Sequence, residues 1–484
     1  MDSEGILDRL TELRTADLPV HGGRTMAYVY DAGLPGLDEL AARAQAAFAG
    51  VNGLDMTAFP SVVTLENEVV GRAAALLGGG ADAAAAAGLA GTFTSGGTES
   101  CLLAVLTARE HAQRVRGVTA PEIVLPVTAH AAFHKAAHLF GLRVVAVDVD
   151  PDTFRVRAED VAAALTERTA LVVVSAPSYA HGVVDPVAAV AREAAARDVL
   201  CHVDACIGGW YLGHRRLAAG LPAPPPFDLT VPGVTSLSVD LHKYGYTPKG
   251  ASVLLFRDAE LRRHGWFAHA SWPGYPVVNA TLQGTKSAGP LAAAWAVLRH
   301  VGTDGYVELA RRVHAATRQL ADGARRIEGL RVLGTPDASL VAVASADPGL
   351  DPFVVADEMR LRGWYLQPQP AFAGSPANLH LTVTAAVAEP ARIAELLGEL
   401  AAAVIRARAL GPATVDPGLV ELARALDPSA LGPEEVALAL QAAGVAADGA
   451  LPARMAPVLA VLQALPPALT ERLLPEVVSR LYTR

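Results

Sequence analysis

The sequence predicts an α/β protein built on a mostly parallel central sheet, followed by a smaller α+β unit and an appended helical region. Three observations predict it. From residue 121 onward, short apolar runs alternate with helical patterns, the signature of βαβ units. Those runs are almost continuously apolar, as strands covered on both faces must be. Polar residues collect just past the ends of the runs, where open α/β sheets bind their ligands.

In chain order, residues 1–55 read as an N-terminal helical segment. Ile6, Leu7, Leu10 and Leu13 recur at helical spacing, a second helix is expected over 37–48, and 52–60 reads as irregular. Residues 56–305 form the large unit. It opens with a helix expected over 65–77, whose Glu66 and Glu68 would complement the helix dipole in a first turn. Thr94-Ser95-Gly96-Gly97-Thr98-Glu99-Ser100 then leads into an apolar helix. Strands are expected at 122–125, 143–147, 171–174 and 199–203, with helices at 134–140, 158–166 and 186–197 between them. A strand through Ser236–Asp240, a turn, and a strand through 251–256 close the set. Residues 306–410 form the small unit, entered by helices over 291–300 and 306–327. Its strands are expected at 330–333, 340–343, 364–366 and 379–383, its helices at 353–362 and 390–405. Residues 411–484, rich in Ala, Leu and Pro, read as a helical extension to which no chemistry is assigned.

Composition narrows the function. At 484 residues the chain exceeds one simple core. Its net charge of −9, with no long basic run, argues against nucleic acid as a main partner. No apolar run approaches the roughly 18 residues of a membrane span. The acidic Met1-Asp2-Ser3-Glu4 lacks a signal pattern, so a cytoplasmic location is expected. Three cysteines make no disulfide framework. Cys201-His202-Val203-Asp204-Ala205-Cys206 superficially suggests metal ligands, but as a strand it splits its donors between two faces. No metal is expected.

Two stretches carry chemistry. The Ser95-Gly96-Gly97-Thr98 turn, running into a helix, offers free N–H groups and a positive dipole end, a cup for an anion and most naturally a phosphate. It is not a Walker motif and lacks Gly-x-Gly-x-x-Gly. Taken alone, such a turn often only caps a helix. The second stretch is Asp240-Leu241-His242-Lys243-Tyr244-Gly245-Tyr246. A lysine at a turn between two strands is held rigidly, and desolvation there is expected to lower its pKa and make it nucleophilic, as Schiff-base chemistry requires. A lone lysine is ordinarily a surface residue. Here it comes after a phosphate cup, a histidine past a strand (His130) and a strand-end carboxylate (Asp204), the set of parts that pyridoxal 5'-phosphate needs.

Gly22-Gly23-Arg24, the 94–100 turn, Ala129-His130-Ala131-Ala132-Phe133, His202-Val203-Asp204-Ala205-Cys206 and Leu241-His242-Lys243-Tyr244-Gly245-Tyr246 closely resemble the sphingosine-1-phosphate lyases. The chain is similar more widely to the pyridoxal-phosphate-dependent (group II) decarboxylase family of fold type I, the aspartate-aminotransferase-like architecture, over residues 21–405. The resemblance implies Lys243 as the Schiff-base lysine, Asp204 as partner of the ring nitrogen, and His130 stacked on the ring. Ser95, Gly96, Gly97, Thr98 and His242 would hold the cofactor phosphate. Gly284 and Thr285 would reach it from the other subunit of a homodimer with shared sites.

For the substrate, the resemblance points to Tyr30 and Lys249, and Ser178 stands at a strand end. Asp55 takes the place of a histidine found in the lyases. A carboxylate facing a phosphate dianion is repulsive, so the pattern departs from one for phosphorylated sphingoid bases. Asp55 as a loop cap is the plain alternative.

A small amino substrate would then lose a bond at Cα. Retro-aldol cleavage of a β-hydroxy amine, releasing an aldehyde, is the first reading, and amino-acid decarboxylation the alternative. Tyr30, Lys249 and His181 are all candidates for the proton transfer. Transamination ranks lower, because residues 371–390 contain no arginine to clamp an α-carboxylate and His380 is their only basic residue. A non-catalytic cofactor-binding scaffold is the remaining alternative.

Overall fold

A computed structural model gives the structure and describes residues 2–418, 420–421, 432 and 452–482. In chain order the helices and strands are α1 (Ser3–Leu13), α2 (Leu37–Ala47), α3 (Pro60–Leu77), α4 (Ala81–Ala86), β1 (Ala90–Thr94), α5 (Gly97–Arg116), β2 (Glu122–Pro126), α6 (Ala132–Phe140), β3 (Arg143–Val147), α7 (Ala158–Ala164), β4 (Thr169–Ser175), α8 (Val187–Ala195), β5 (Leu200–Asp204), α9 (Gly209–Leu217), β6 (Ser236–Asp240) and β7 (Ser252–Phe256). They continue with α10 (Ala259–Arg263), β8 (Phe267–His269), β9 (Val277–Asn279), α11 (Gly289–Arg325), β10 (Leu330–Val332), β11 (Leu340–Ser345), α12 (Pro352–Leu361), β12 (Gln367–Gln369), β13 (Asn378–Thr382), α13 (Pro390–Leu410), α14 (Ala456–Ala464) and α15 (Pro467–Tyr482).

The main sheet has the order β1-β7-β6-β5-β4-β2-β3. Strands β6, β5, β4, β2 and β3 run parallel, and β7 lies antiparallel to both its neighbours. Strands β2, β4, β6 and β7 are buried along their whole length, which explains their unbroken apolar sequence. Register then sets the site. Ser175, Asp204 and Ser238 lie side by side across β4, β5 and β6, while Asp240 and Thr94 both face Ser252 across β7. The carboxyl ends of β5 and β6 and the turn after β1 therefore share one edge.

A four-stranded antiparallel sheet, β10-β11-β13-β12, forms the second layer set. Helix α11 leads to it, broken only at Gly302, whose φ of +65° and ψ of 173° leave the helical region. The two helices expected over 291–300 and 306–327 thus run together across a glycine joint. The N-terminal segment docks here too: Met26 N donates to Tyr365 O, and Thr382 N to Met26 O.

Two local expectations need correction. Helix α3 starts at Pro60, whose ring suits the first helical position, so Glu66 and Glu68 lie beyond the first turn. Glu66 accepts from Phe93 N and Lys286 Nζ, and Glu68 from Trp295 Nε1. The strand expected at 364–366 forms instead at Gln367–Gln369. Trp364 is a fully buried core residue and Tyr365 makes only an isolated bridge to Thr25. Helix α9 and the β8–β9 hairpin have no clear periodicity in the sequence.

Of the C-terminal extension, α14 and α15 are described, and the rest of 411–484 lies largely outside the described residues. Asp357 on α12 caps α14 by accepting from Met455 N and Ala456 N, and Arg454 pairs with Glu358 at 2.8 Å. At the other end of α14, Gln463 Oε1 accepts from Ala371 N, in the loop between β12 and β13.

Candidate active site

A cavity of about 350 Å³ opens at the shared edge of the main sheet. Its wall takes Ser95, Gly96, Gly97 and Thr98 from the turn before α5, His130 from the turn after β2, Asp204 from the end of β5, and Asp240, His242 and Lys243 from the end of β6. The sequence places all of these at the site except Asp240. Tyr179, Cys206 and Ile207 also line it.

Helix α5, 20 residues long, points its N-terminus into this cavity without a side-chain cap on its Gly96 N-cap. Its first N–H groups are thus left for a ligand, and the dipole favours an anion there. Glycine at 97 is required by close approach: a Cβ would stand 2.6 Å from Asp240 Oδ2 and 2.9 Å from Cys206 Sγ. His242 lies along the same rim, with its Cε1 3.5 Å from the position of a Cβ on Gly96. Its Nδ1 accepts from Ala251 N, so Nε2 carries the proton and faces Asp240 Oδ2 at 3.6 Å. Burial and the neighbouring lysines lower the His242 pKa despite Asp240.

The Lys243 ammonium sits 2.9 Å from Asp240 Oδ2. Desolvation pulls its pKa down, but the attraction of Asp240, joined by Tyr30 and Cys206, outweighs that and holds the amine well above its ordinary value. The expectation of a lowered pKa is therefore corrected: it weighs burial alone, and the carboxylate three residues earlier reverses the sign. Asp240 is held in the ionised form, because Lys243 and His242 together overcome the cost of its burial. Its Oδ1 is buried with no partner. The signal that would have found it is its spacing, an acid at a strand end three residues before a turn lysine.

The turn itself is fixed from outside. Tyr244 donates to Val383 O at 2.8 Å, Tyr306 to Gly245 O at 2.6 Å, and a Cβ at Gly245 would overlap Leu241 O. At the end of β5, Asp204 is buried and its Oδ1 accepts from Cys206 N at 3.1 Å. His130 Nδ1 accepts from Ala132 N at 3.1 Å, which turns a protonated Nε2 outward.

His202 takes no part in the cavity. Buried between Ser236 and Ser238, it spends both ring nitrogens on their hydroxyls. The donor atoms of Cys101, Asp204 and Cys206 do lie within 4.8 Å of one another. However, both thiols have raised pKa values, Cys206 through its hydrogen bond with Cys101 and then burial, and a protonated thiol is a poor metal ligand.

The other expected residues are spread more widely. Tyr30 lies close to Lys243 and packs on Tyr244, and burial pushes its pKa up to about 12. Lys249 stands over the Tyr30 ring, 4.8 Å from its centroid, donates to Tyr28 O, and has its pKa lowered by desolvation and by Lys243. Ser178 is fully buried and lines no part of this cavity. Asp55 is exposed, its carboxylate accepting from Thr57 N, Thr57 Oγ1 and Ala58 N. Gly284 and Thr285 sit on a solvent-facing loop outside the chain's own cavity. His181 lies in an adjoining cavity and His380 is buried behind Tyr179, the rings 4.2 Å apart.

The donor set suits pyridoxal phosphate. An uncapped helix start, a glycine that leaves room, a strand-end acid and a turn lysine offer phosphate, ring-nitrogen and aldehyde contacts together. Comparison with known proteins agrees. The chain is 37% identical over 382 residues to sphingosine-1-phosphate lyase 1 of Rattus norvegicus, covering 78% of this chain and 64% of the relative. It is 38% identical to the sphingosine-1-phosphate lyase of Arabidopsis thaliana, covering 70% of this chain and 60% of the relative. It therefore spans somewhat under two thirds of either relative's length. A solved sphingosine-1-phosphate lyase from Burkholderia pseudomallei superposes with a TM-score of 0.79 at 37% identity, over 84% of this chain and 92% of that one. Lactobacillus brevis glutamate decarboxylase shares the fold, with a TM-score of 0.72 at 20% identity over 84% of this chain and 93% of that one. A family model described as "Pyridoxal-dependent enzyme, C-terminal putative HTH domain" matches residues 417–480. The model described as "Pyridoxal-dependent decarboxylase conserved domain" matches residues 24–344, which span the α5 turn, His130, Asp204 and Lys243. The chain belongs to the pyridoxal-dependent decarboxylase family.

Proposed function

We propose that the protein is a pyridoxal-phosphate-dependent carbon–carbon lyase that breaks a bond at Cα of a small amino substrate, by retro-aldol cleavage of a β-hydroxy amine with release of an aldehyde. One observation carries this reading over transamination or decarboxylation: among the described residues the cavity is lined by no arginine, and Lys243 is its one lysine. An α-carboxylate would find no guanidinium to clamp it. His380, the basic residue nearest in sequence to the expected clamp, is held neutral, its pKa lowered to about 3 by burial. The names of the relatives at 37–38% identity support the same reaction.

Bound pyridoxal phosphate would supply an electron sink for the pair left at Cα. The chain's residues supply the rest. The N–H groups at the start of α5, with His242 on the same rim, would hold the phosphate, Asp204 would meet the ring nitrogen, and His130 would cover the ring face. Lys243 would anchor the cofactor. In the cleavage, a base removes the β-hydroxyl proton, Cα–Cβ breaks, the new carbonyl leaves as aldehyde, and Cα is later protonated. Of the three candidates for the proton transfer, Tyr30, whose pKa burial pushes up to about 12, stays protonated and suits donation, which leaves Lys249 and His181 as the candidate acceptors. With Asp55 occupied in its own loop, nothing at that position offers a cation to a substrate phosphate.

The purified holoenzyme is expected to absorb near roughly 410–430 nm and to release aldehyde, not carbon dioxide, from β-hydroxy amines. Lys243→Ala should lose both the band and turnover. Carbon dioxide release from amino acids would move the assignment to decarboxylase, and turnover surviving in Lys243→Ala would remove the anchor.

The reading includes a homodimer. Phe267, Trp272, Tyr275, Val278 and Leu282 on and beside the β8–β9 hairpin are exposed, as is the apolar stripe of α1, which buries no residue of its own. Apolar surface of this kind is what an interface covers. The Gly284–Thr285 loop lies next to it, in line with a contribution to the partner's site. Sedimentation velocity should give twice the 50.1 kDa chain mass, and a monomer with full activity would sink the shared-site arrangement. Three buried, unbridged cysteines fit a cytoplasmic setting, and no helix among the described residues is long and apolar enough to cross a membrane. The same reading divides the chain at about residues 55, 305 and 410, boundaries that limited proteolysis would locate.

A further inference from the structure

A second cavity, of about 260 Å³, lies against the first, and His130 and Tyr179 line both. Its walls come from the turn after β2, from Val149 after β3, and from the loop between β12 and β13. Val127, Val149, Pro370 and Phe372 give it an apolar lining, and no lysine, arginine, aspartate or glutamate lines it. Its hydroxyl and amide members carry no charge. His181, the one titratable group besides His130 and Tyr179, is stacked 4.1 Å from Phe154, with Nε2 on Ser375 Oγ at 2.9 Å and its pKa lowered by burial to about 4. Three buried polar atoms of the lining lack partners: Thr128 Oγ1, Gln369 Nε2 and His181 Nδ1.

The partition between the two cavities is stiff. Tyr179 donates to Gln367 Oε1 at 2.6 Å and lies flat on His380, while His130 is held by Ala132 N. A group entering the second cavity from the first would pass these two rings in a fixed geometry. Once inside it would meet apolar walls and a few unpaired hydrogen-bonding atoms. An unpaired buried donor or acceptor gains most from a neutral polar group placed against it. A phosphate or carboxylate would lose its hydration and find no cation.

We propose that this second cavity receives the distal chain of the amino substrate and selects a short, uncharged chain bearing a hydroxyl, ether or amide. Its size, just under the roughly 300–1,000 Å³ of ordinary ligand pockets, disfavours a long lipid tail. The inference rests on the lyase reading for the head of the substrate, and adds the chemical class of the chain attached to that head.

The test uses holoenzyme and a series of 2-amino-1,3-diols with short, medium and long chains, with and without a terminal hydroxyl or phosphate. Binding is read from the change in the visible cofactor band with matching amines that lack the cleavable hydroxyl, and cleavage from aldehyde release. Wild type should bind short chains with a terminal hydroxyl tightest and phosphate-terminated chains weakest. Val149→Phe, which fills the cavity, should lower the medium-to-short affinity ratio about tenfold, and Phe372→Ala, at an exposed side chain, should raise it. Ratios unmoved by both variants, or tighter binding of the phosphate-terminated chain, would overturn the proposal. If chain-length selection shifts as stated but no aldehyde appears, the pocket assignment holds and the lyase reading fails. Aldehyde release with unmoved ratios leaves the lyase reading standing and removes the pocket.

Discussion

Lys243 and Asp240 are bound as a buried ion pair, and each sets the protonation of the other. Removing the carboxylate leaves an ammonium whose desolvation is no longer offset, so its pKa must fall. Asp240→Asn is expected to move the pH profile of cofactor capture by cofactor-free enzyme toward acid by about one unit or more, since more neutral amine is present at each pH. Stopped-flow absorbance measures it, and an unshifted profile would show that another group holds the proton. Lys243, Asp204 and His130 are legible in the sequence because each sits in a short motif at a strand end. Asp240 is marked only by its spacing, three residues before the lysine, and its effect rests on the 2.9 Å contact which that spacing makes across the turn. The wrong sign for the lysine pKa comes from that one omission. Asp55 and Ser178 show the converse: both have plausible chemistry and position in sequence, yet one caps its own loop and the other is fully buried and absent from the cavity lining.

At the level of elements, the junction of β1 and α5 carries the site. Packing against Asp240 and Cys206 forbids any side chain at its second glycine, and the same closeness brings the helix N–H groups to the cavity floor. Gly97→Ala should weaken cofactor binding at least about tenfold, because the backbone must retreat from that contact. Titration of the visible band reads the change, and an unaltered affinity would place the phosphate elsewhere. The central strands are readable because continuous burial leaves an unbroken apolar run. The strand expected at 364–366 fails for the same reason: Trp364 and Leu366 are apolar for the core, not for a ladder. Helix α9 escapes notice because it is buried almost all round, its glycines and aromatics giving no periodic face.

At the scale of the whole molecule, four histidines among the described residues are buried in the neutral form. Burial lowers the pKa of His181, His202 and His214 to about 4 and of His380 to about 3. Between those values and the ordinary 6.5 the unfolded chain binds more protons than the folded one, so stability rises with pH and is lost as pH falls from about 6.5 toward 4. Asp185 works the other way: burial raises its pKa to about 6, so the folded state gains from its protonation over part of that range. Four groups against one leave the histidines in command. The melting temperature is expected to drop steadily from about pH 6.5 to about pH 4.5, and a flat profile would mean that these rings are solvated.

Helix α14 has its foot on Asp357 and its tip on the backbone of Ala371, next to Phe372. At 1.5 Å per residue its nine residues form a strut of roughly 13 Å. Its thrust bears on the outer wall of the second cavity without passing through the main sheet. The loop that walls that cavity is thereby tied to a helix more than 200 positions beyond Lys243. Tilting this strut would displace the loop that carries Phe372 and, on the pocket proposal, change which chains fit.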